Sequence, residues 1–219
     1  MSDLPLVLDL FSGTGSATQP FVECGKHRVV RIDIAGEPDV RADVRRLPIK
    51  PGVRPQFVWA SPPCTAFSYA RHIWAPWPDP KVAPQAIALL RETVRTIRRM
   101  DPEWWLLENP RGHAQDILGK PLFETPYCAW GMDYKKPTQF WGRFPHSLRQ
   151  PCRHSRHRVR ITFRQTPLTP AQRHKVLRSR SGTGRTVFEV TTRDPLERAR
   201  IPHPLAKAVH RAICPEAEP

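Results

Sequence analysis

The 219-residue chain lacks what would carry a protein into or across a membrane. No apolar run approaches the ~20 residues that a bilayer crossing needs, and Met1-Ser2-Asp3-Leu4-Pro5 has no basic-then-apolar signal pattern. A cytoplasmic protein with no membrane partner is therefore expected. Cysteine is sparse and odd in number: Cys24, Cys64, Cys128, Cys152 and Cys214 are widely scattered in a chain too large to need stapling, which argues for reduced thiols rather than a disulfide framework. No Cys-x-x-Cys pair is present, so no metal is expected; Cys128, Cys152, His154 and His157 form only a weak zinc set. No internal repeat is found, and the length suits one domain with a substantial insertion, taken to be a monomer.

Acidic residues are also missing from one part of the chain. Between Arg143 and Arg200 there are fifteen Lys and Arg against three acids, so this segment holds +12 of the formal +15. A localised basic block is the electrostatic footprint of a phosphate-backbone binder. Val159, Ile161, Phe163, Val187, Phe188 and Val190 interleave with the charge, which favours a folded basic surface over a solvated tail. Arg153, Arg156, Arg158, Arg160, Arg178 and Arg180 are the candidate nucleic-acid contacts.

What is present reads as alternating strands and helices. Leu6 to Phe11 is a buried strand running into the turn Ser12-Gly13-Thr14-Gly15-Ser16. A helix over Ala17 to Cys24, with Pro20 in its first turn, and a strand over His27 to Ile34 complete a βαβ unit. Gln56 to Ala60 is a further strand, halted by Pro62 and Pro63, which fix φ and stiffen the loop that carries Cys64. Tyr69 to Pro84, rich in Trp and Pro, reads as a mobile or binding loop. Ile87, Leu90, Val94 and Ile97 mark a helix that opens near Pro84 and closes before Asp101. Trp104 to Pro110 is a strand, Tyr127 to Trp130 and Thr138 to Trp141 are short strands, and Leu205 to Ile213 is a closing helix.

Four strand ends carry polar residues: Asp9 to Gly13, Asp33, Ser61 to Cys64, and Glu108-Asn109. In a parallel sheet these fall along one edge, where an open α/β fold keeps its ligand. A glycine turn followed about 20 residues later by an acid is how nucleotide-like cofactors are held, although no third glycine completes a dinucleotide fingerprint. Asp43 adds a carboxylate within reach of an adenine amino group.

Asp9-Leu10-Phe11-Ser12-Gly13-Thr14-Gly15, Asp33, Asp43, Ser61-Pro62-Pro63-Cys64 and Glu108-Asn109 together resemble the cytosine carbon-5 methyltransferases, in that family's order. The likeness runs over about residues 6 to 143, with a weaker echo in Ile201 to Ile213. It implies an α/β, Rossmann-like S-adenosylmethionine-dependent methyltransferase fold: a mostly parallel sheet with helices on both faces. It also implies a catalytic core over 1–142, a short basic recognition insertion over 143–200, and a closing segment over 201–219 that returns to the core. By the same resemblance S-adenosylmethionine would be held by Phe11, Ser12, Gly13, Thr14, Gly15, Asp33, Ile34, Asp43, Val44, Ser61 and Pro62. Cys64 would be the nucleophile, Glu108 would contact the ring and Asn109 would hold the loop.

The chemistry calls for the same residue types independently. Carbon 5 of cytosine is a poor nucleophile until a thiolate adds at carbon 6, and a carboxyl group at the N3 edge stabilises the charge that builds on the ring. The family's Gln-x-Arg-x-Arg strand aligns with Gln139-Phe140-Trp141-Gly142-Arg143, leaving Trp141 for one arginine and Arg143 as the candidate contact to the base carbonyl. DNA is the expected partner, and RNA or a free cytosine nucleotide stays open. So do a binding protein that keeps the fold without turnover and a sulfonium donor other than S-adenosylmethionine.

Overall fold

A computed structural model describes residues 4–47, 52–69, 78, 80, 83–132, 134–153, 158–159, 187–188 and 199–215. Strands β1 (Leu6–Leu10), β2 (Arg28–Asp33), β3 (Val40–Arg41), β4 (Phe57–Ala60), β5 (Trp104–Pro110), β6 (Phe123–Pro126) and β7 (Pro137–Arg143) form one sheet in the order β3-β2-β1-β4-β5-β7-β6. β1 to β5 are mutually parallel, and β7 runs antiparallel to both its neighbours, β5 and β6. The strand order reverses direction at β1 and β4. That switch point opens a crevice beyond the carboxyl ends of the two strands.

Both faces are covered, so the central strands are apolar on both sides. Val7, Phe57, Trp59, Leu106 and Phe140 point to one face, where they pack with Phe21 of α1 (Gln19–Glu23) and Leu205, Val209 and Ile213 of α4 (His203–Ile213). Their neighbours along each strand, Leu8, Leu10, Val58, Ala60, Leu107 and Trp141, point to the other. There they meet Leu90, Ile97 and Met100 of α2 (Ala83–Met100) and Ala114 of α3 (Ala114–Leu118). Pro20 and Pro204 each sit in a first turn, where a missing N–H breaks no helical bond.

The Rossmann-like arrangement matches the expected fold, with local differences. Tyr127–Trp130 is a 3-10 turn rather than a strand: Pro126 leads into it and Gly131, at φ 90, ends it in the left-handed region. Pairing with β7 falls instead to Phe123–Pro126, a strand too short to show alternation. The α1 helix is confined to five residues. Most of the Trp- and Pro-rich stretch from Tyr69 to Pro84 lies outside the described residues, as does most of 143–200. Within the latter, β8 (Arg158–Val159) and β9 (Val187–Phe188) pair in parallel.

Asp9 stands alone among the buried side chains of β1 in being charged. Burial pushes its carboxyl up to about 7; the Thr18 hydroxyl, donating at 2.8 Å, and Arg31 oppose this, while Asp33 and Asp39 add to it. A group whose folded pKa lies above its unfolded value confers stability at low pH and loses it as pH rises through the folded value. Wild type measured against Asp9→Asn should thus lose about 1.4 kcal/mol of stability per pH unit between about pH 4 and 7, then level off. Urea unfolding of both proteins across that range checks it, and parallel pH profiles would refute it.

Candidate active site

Four strand ends meet at the carboxyl edge of the sheet. Leu10 of β1 pairs with Ile32 of β2 on one side and Ala60 of β4 on the other, and Ala60 pairs with Leu107 of β5. The residues next outward are Phe11, Asp33, Ser61 and Glu108.

On the β1–β2 side the chain turns sharply. Phe11 takes φ 59, costly for a side chain without a special partner, and Gly13 and Gly15 follow at φ 49 and 70. The Gly13 N–H donates to Asp33 Oδ2 at 3.0 Å, and the Ala35 N–H to Oδ1 at 3.0 Å. Each carboxylate oxygen thus keeps acceptor capacity for a further donor. The space around the Gly13 α-carbon is open, with nothing within 4 Å of where a side chain would begin. Ile34, 68% exposed, offers a bare apolar surface beside Asp33. Ser16 Oγ accepts from Thr14 Oγ1 at 3.1 Å and from the Ile201 N–H at 2.9 Å, which ties the closing segment to the glycine turn. This acceptor pair and open cradle fit the hydroxyls of a ribose-bearing cofactor.

Two residues of the expected cofactor set are engaged by the protein itself. Asp43 caps the 3-10 turn Val44–Arg46 and is chelated by Arg45, whose guanidinium holds its carboxyl below the usual range. Val44 is buried in the core, with its carbonyl accepting from Thr96, so its side chain is a packing residue.

On the β4–β5 side, Trp59 Nε1 donates to Ser61 Oγ at 2.7 Å. Asn109 Nδ2, fully buried, donates to the carbonyl of buried Pro62 at 3.1 Å. That bond spans from β5 to the proline loop two residues before Cys64. The Phe67 and Ser68 N–H groups close a turn on the Cys64 carbonyl at 2.9 Å each, and His113 N donates to Phe67 O at 2.8 Å. Gly112 lies under this turn, where any β-carbon would collide with the Phe67 carbonyl.

Glu108, 5% exposed, projects to the opposite face of β5 from Asn109. It accepts from the Tyr127 hydroxyl at 3.1 Å, and Lys136 Nζ stands 3.9 Å away while lying 4.5 Å from the centre of the Tyr127 ring. Burial first, and then the adjacent carboxylate, push the Tyr127 phenol well above its ordinary pKa, so it remains a donor. Tyr127 and Lys136 carry no sequence motif, and only the 3-10 turn and the start of β7 bring them to Glu108. Asn109 Oδ1 and Gln139 Oε1, on paired residues of β5 and β7, are buried with no hydrogen-bond partner among the described residues. Buried acceptors of this kind are rare and gather at functional sites.

Arg143 is not part of this edge. Because β7 runs antiparallel, it lies opposite Trp105 at the far end of β5. There its guanidinium binds the Glu103 and Pro102 carbonyls and Asp101. Trp141, standing where an arginine was sought, is buried and donates from its indole to Gly119 O at 2.8 Å. Arg153 is exposed; Arg156, Arg160, Arg178 and Arg180 lie outside the described residues, and of Arg158 only the backbone is described. Cys128 and Cys152 are brought together: burial and then the Cys152 thiol hydrogen-bonded to it push Cys128 up to about 11. His154 and His157 lie outside the described residues.

Over 150 residues the chain is 29% identical to a frog virus 3 (isolate Goorha) protein named a probable DNA (cytosine-5)-methyltransferase, covering 62% of this chain and 69% of that one. That similarity agrees with the resemblance to the cytosine carbon-5 methyltransferases read from the motifs. No family model matches it. A prophage-encoded E. coli protein described as a "putative DNA modification methyltransferase" is similar in structure at a TM-score of 0.47 and 16% identity, over 67% of this chain. The match spans about half (52%) of that protein's length.

In this chain the turn that follows Cys64 is seated from below by Gly112. Gly112→Ala should push the Cys64 turn off β5, lowering thermal stability by about 2 kcal/mol or more and raising the rate at which Cys64 reacts with a thiol reagent. Unchanged melting and unchanged thiol kinetics would show that the turn does not depend on that close approach.

Proposed function

We propose that the chain is a DNA cytosine carbon-5 methyltransferase that uses S-adenosylmethionine and a covalent Cys64 adduct. The observation that carries the reading is the buried hydrogen bond from Asn109 to the Pro62 carbonyl, which joins the two motif-bearing loops at one edge of the sheet. The named viral relative supports the same reading.

The roles follow from the surroundings of each group. The cofactor would lie over the Gly13–Gly15 turn, its ribose hydroxyls toward Asp33 and its adenine along Ile34. When bound, S-adenosylmethionine supplies an electrophilic methyl group. Cys64 adds as thiolate to carbon 6 of the cytosine, and the electron pair displaced from the ring double bond makes carbon 5 nucleophilic. Glu108, fixed by Tyr127 and Lys136, faces the N3 edge and stabilises the charge that develops there. After carbon 5 is alkylated, a base removes its proton and the carbon–sulfur bond breaks, returning the thiolate. Asn109 holds the loop that carries Cys64. A duplex substrate requires the cytosine to leave the stack, and the Arg-dense segment supplies phosphate contacts that position without specifying sequence.

Nucleoside mass spectrometry of DNA incubated with protein and cofactor should show 5-methylcytosine, with RNA and free nucleotide run alongside. A modified base in RNA alone, or none despite cofactor binding, would overturn the substrate or the activity. On DNA containing 5-fluorocytosine, wild type should form a denaturant-stable adduct and Cys64→Ser none; an adduct surviving in the variant would remove Cys64 from its role. Tyr127→Phe should lower kcat by about tenfold or more with the fold intact, since it loses one donor to Glu108. DNA affinity should fall about a thousandfold between 50 and 200 mM salt for roughly six phosphate contacts, and a flat response would contradict the basic-segment assignment.

A further inference from the structure

The opposite edge of the sheet holds a cluster that none of this chemistry uses. Cys24 ends α1, His27 precedes β2, and His210 lies near the end of α4; one ligand atom from each falls within 4.8 Å of the others. Cys24 Sγ stands 3.2 Å from His27 Nδ1. Two ligands of a tetrahedral zinc, one sulfur and one nitrogen, stand about 3.5 Å apart. His27 Nε2 faces Cys214 Sγ at 3.2 Å on the other side of the ring. His210 is 7% exposed, and its Nε2 is buried with no hydrogen-bond partner among the described residues. Phe21 packs edge-on against both rings, at 5.1 Å from His27 and 4.8 Å from His210, and gives the cluster an apolar floor.

A buried imidazole nitrogen with no partner among the described residues, beside a thiol and a second imidazole, is placed to give its lone pair to a metal ion. Mixed nitrogen and thiolate donors select zinc-like ions over the hard cations that oxygen ligands bind. We propose that Cys24, His27 and His210 bind a zinc-class divalent ion, with Cys214 buttressing His27 through its second ring nitrogen. Metal-bound histidines commonly donate their other N–H to a carboxylate, carbonyl or water, and the Cys214 sulfur stands in that place here. The ion would be structural. It would clip the closing helix α4 to α1 and the start of β2, far from the cysteine loop, and through the bond from Ile201 to Ser16 it would steady the glycine turn from behind. The sequence concealed the set, because its halves lie more than 180 residues apart and neither is a Cys-x-x-Cys.

The test uses the full chain. Protein purified from zinc-supplemented medium should carry about one equivalent of zinc, and cobalt substituted for it should give near-ultraviolet thiolate charge-transfer absorption. That absorption should vanish in Cys24→Ser and survive in the Cys128→Ser/Cys152→Ser double variant. His210→Phe should weaken zinc affinity at least tenfold and abolish the rise in melting temperature that zinc gives wild type, whereas His210→Cys, which restores a ligand, should regain both. Should His210→Phe fail to fold, the Cys24→Ser and His210→Cys results carry the decision. Absence of stoichiometric metal, or metal that persists in Cys24→Ser and is lost in the Cys128→Ser/Cys152→Ser variant, would overturn the assignment. None of these readouts depends on methyl transfer, so failure here leaves the proposed activity standing, and the reverse holds too.

Discussion

A single buried amide organises the working edge of this molecule. Asn109 reaches from the end of β5 to the carbonyl of Pro62, in a loop where Pro62 and Pro63 have no N–H to donate. Removing that donor would leave a buried carbonyl unsatisfied, which costs about 1–3 kcal/mol, and would free the loop that carries Cys64. The stiffness of Pro62-Pro63 and the reach of Asn109 therefore act together: one limits how the loop can bend, the other decides where it rests.

Around that bond the sheet divides its labour by edge. The carboxyl ends of β1, β2, β4 and β5 hold the open glycine turn, Asp33, the cysteine loop and Glu108. The opposite ends carry contacts that bind the chain to itself: Arg143 on the Glu103 and Pro102 carbonyls, and the Cys24, His27, His210 and Cys214 cluster. The closing segment links the two edges, since α4 reaches the cluster and Ile201, just before it, bonds to Ser16 beside the glycine turn.

Much of this was readable from spacing. The strands β1, β4 and β5 are buried on both faces and so appear as nearly continuous apolar runs, whereas β2 is half-buried and carries Arg28 and Arg31; each of the four stops at a polar or glycine-bearing end. What escaped reading has a common cause. Tyr127-Cys128-Ala129-Trp130 is as apolar as a strand, and only Pro126 and the left-handed Gly131 turn it into a 3-10 segment that aims Tyr127 at Glu108. Arg143 has the right type and order for a base contact, but the antiparallel course of β7 carries it to the wrong end of the sheet. Direction of a strand within a sheet leaves no mark on residue order.

The sequence by itself determined the chemical inventory and its order: a glycine turn, an acid after the second strand, a cysteine behind two prolines, a glutamate and an asparagine at the end of a buried strand. Periodicity and Pro and Gly placement are local, so they survive in the linear chain. Tertiary structure alone decided which groups share an edge, because pairing partners are set by packing across the sheet. It brought Tyr127 and Lys136 to Glu108, withdrew Val44 and Arg143, and joined Cys24 and His27 to a histidine at the other end of the chain.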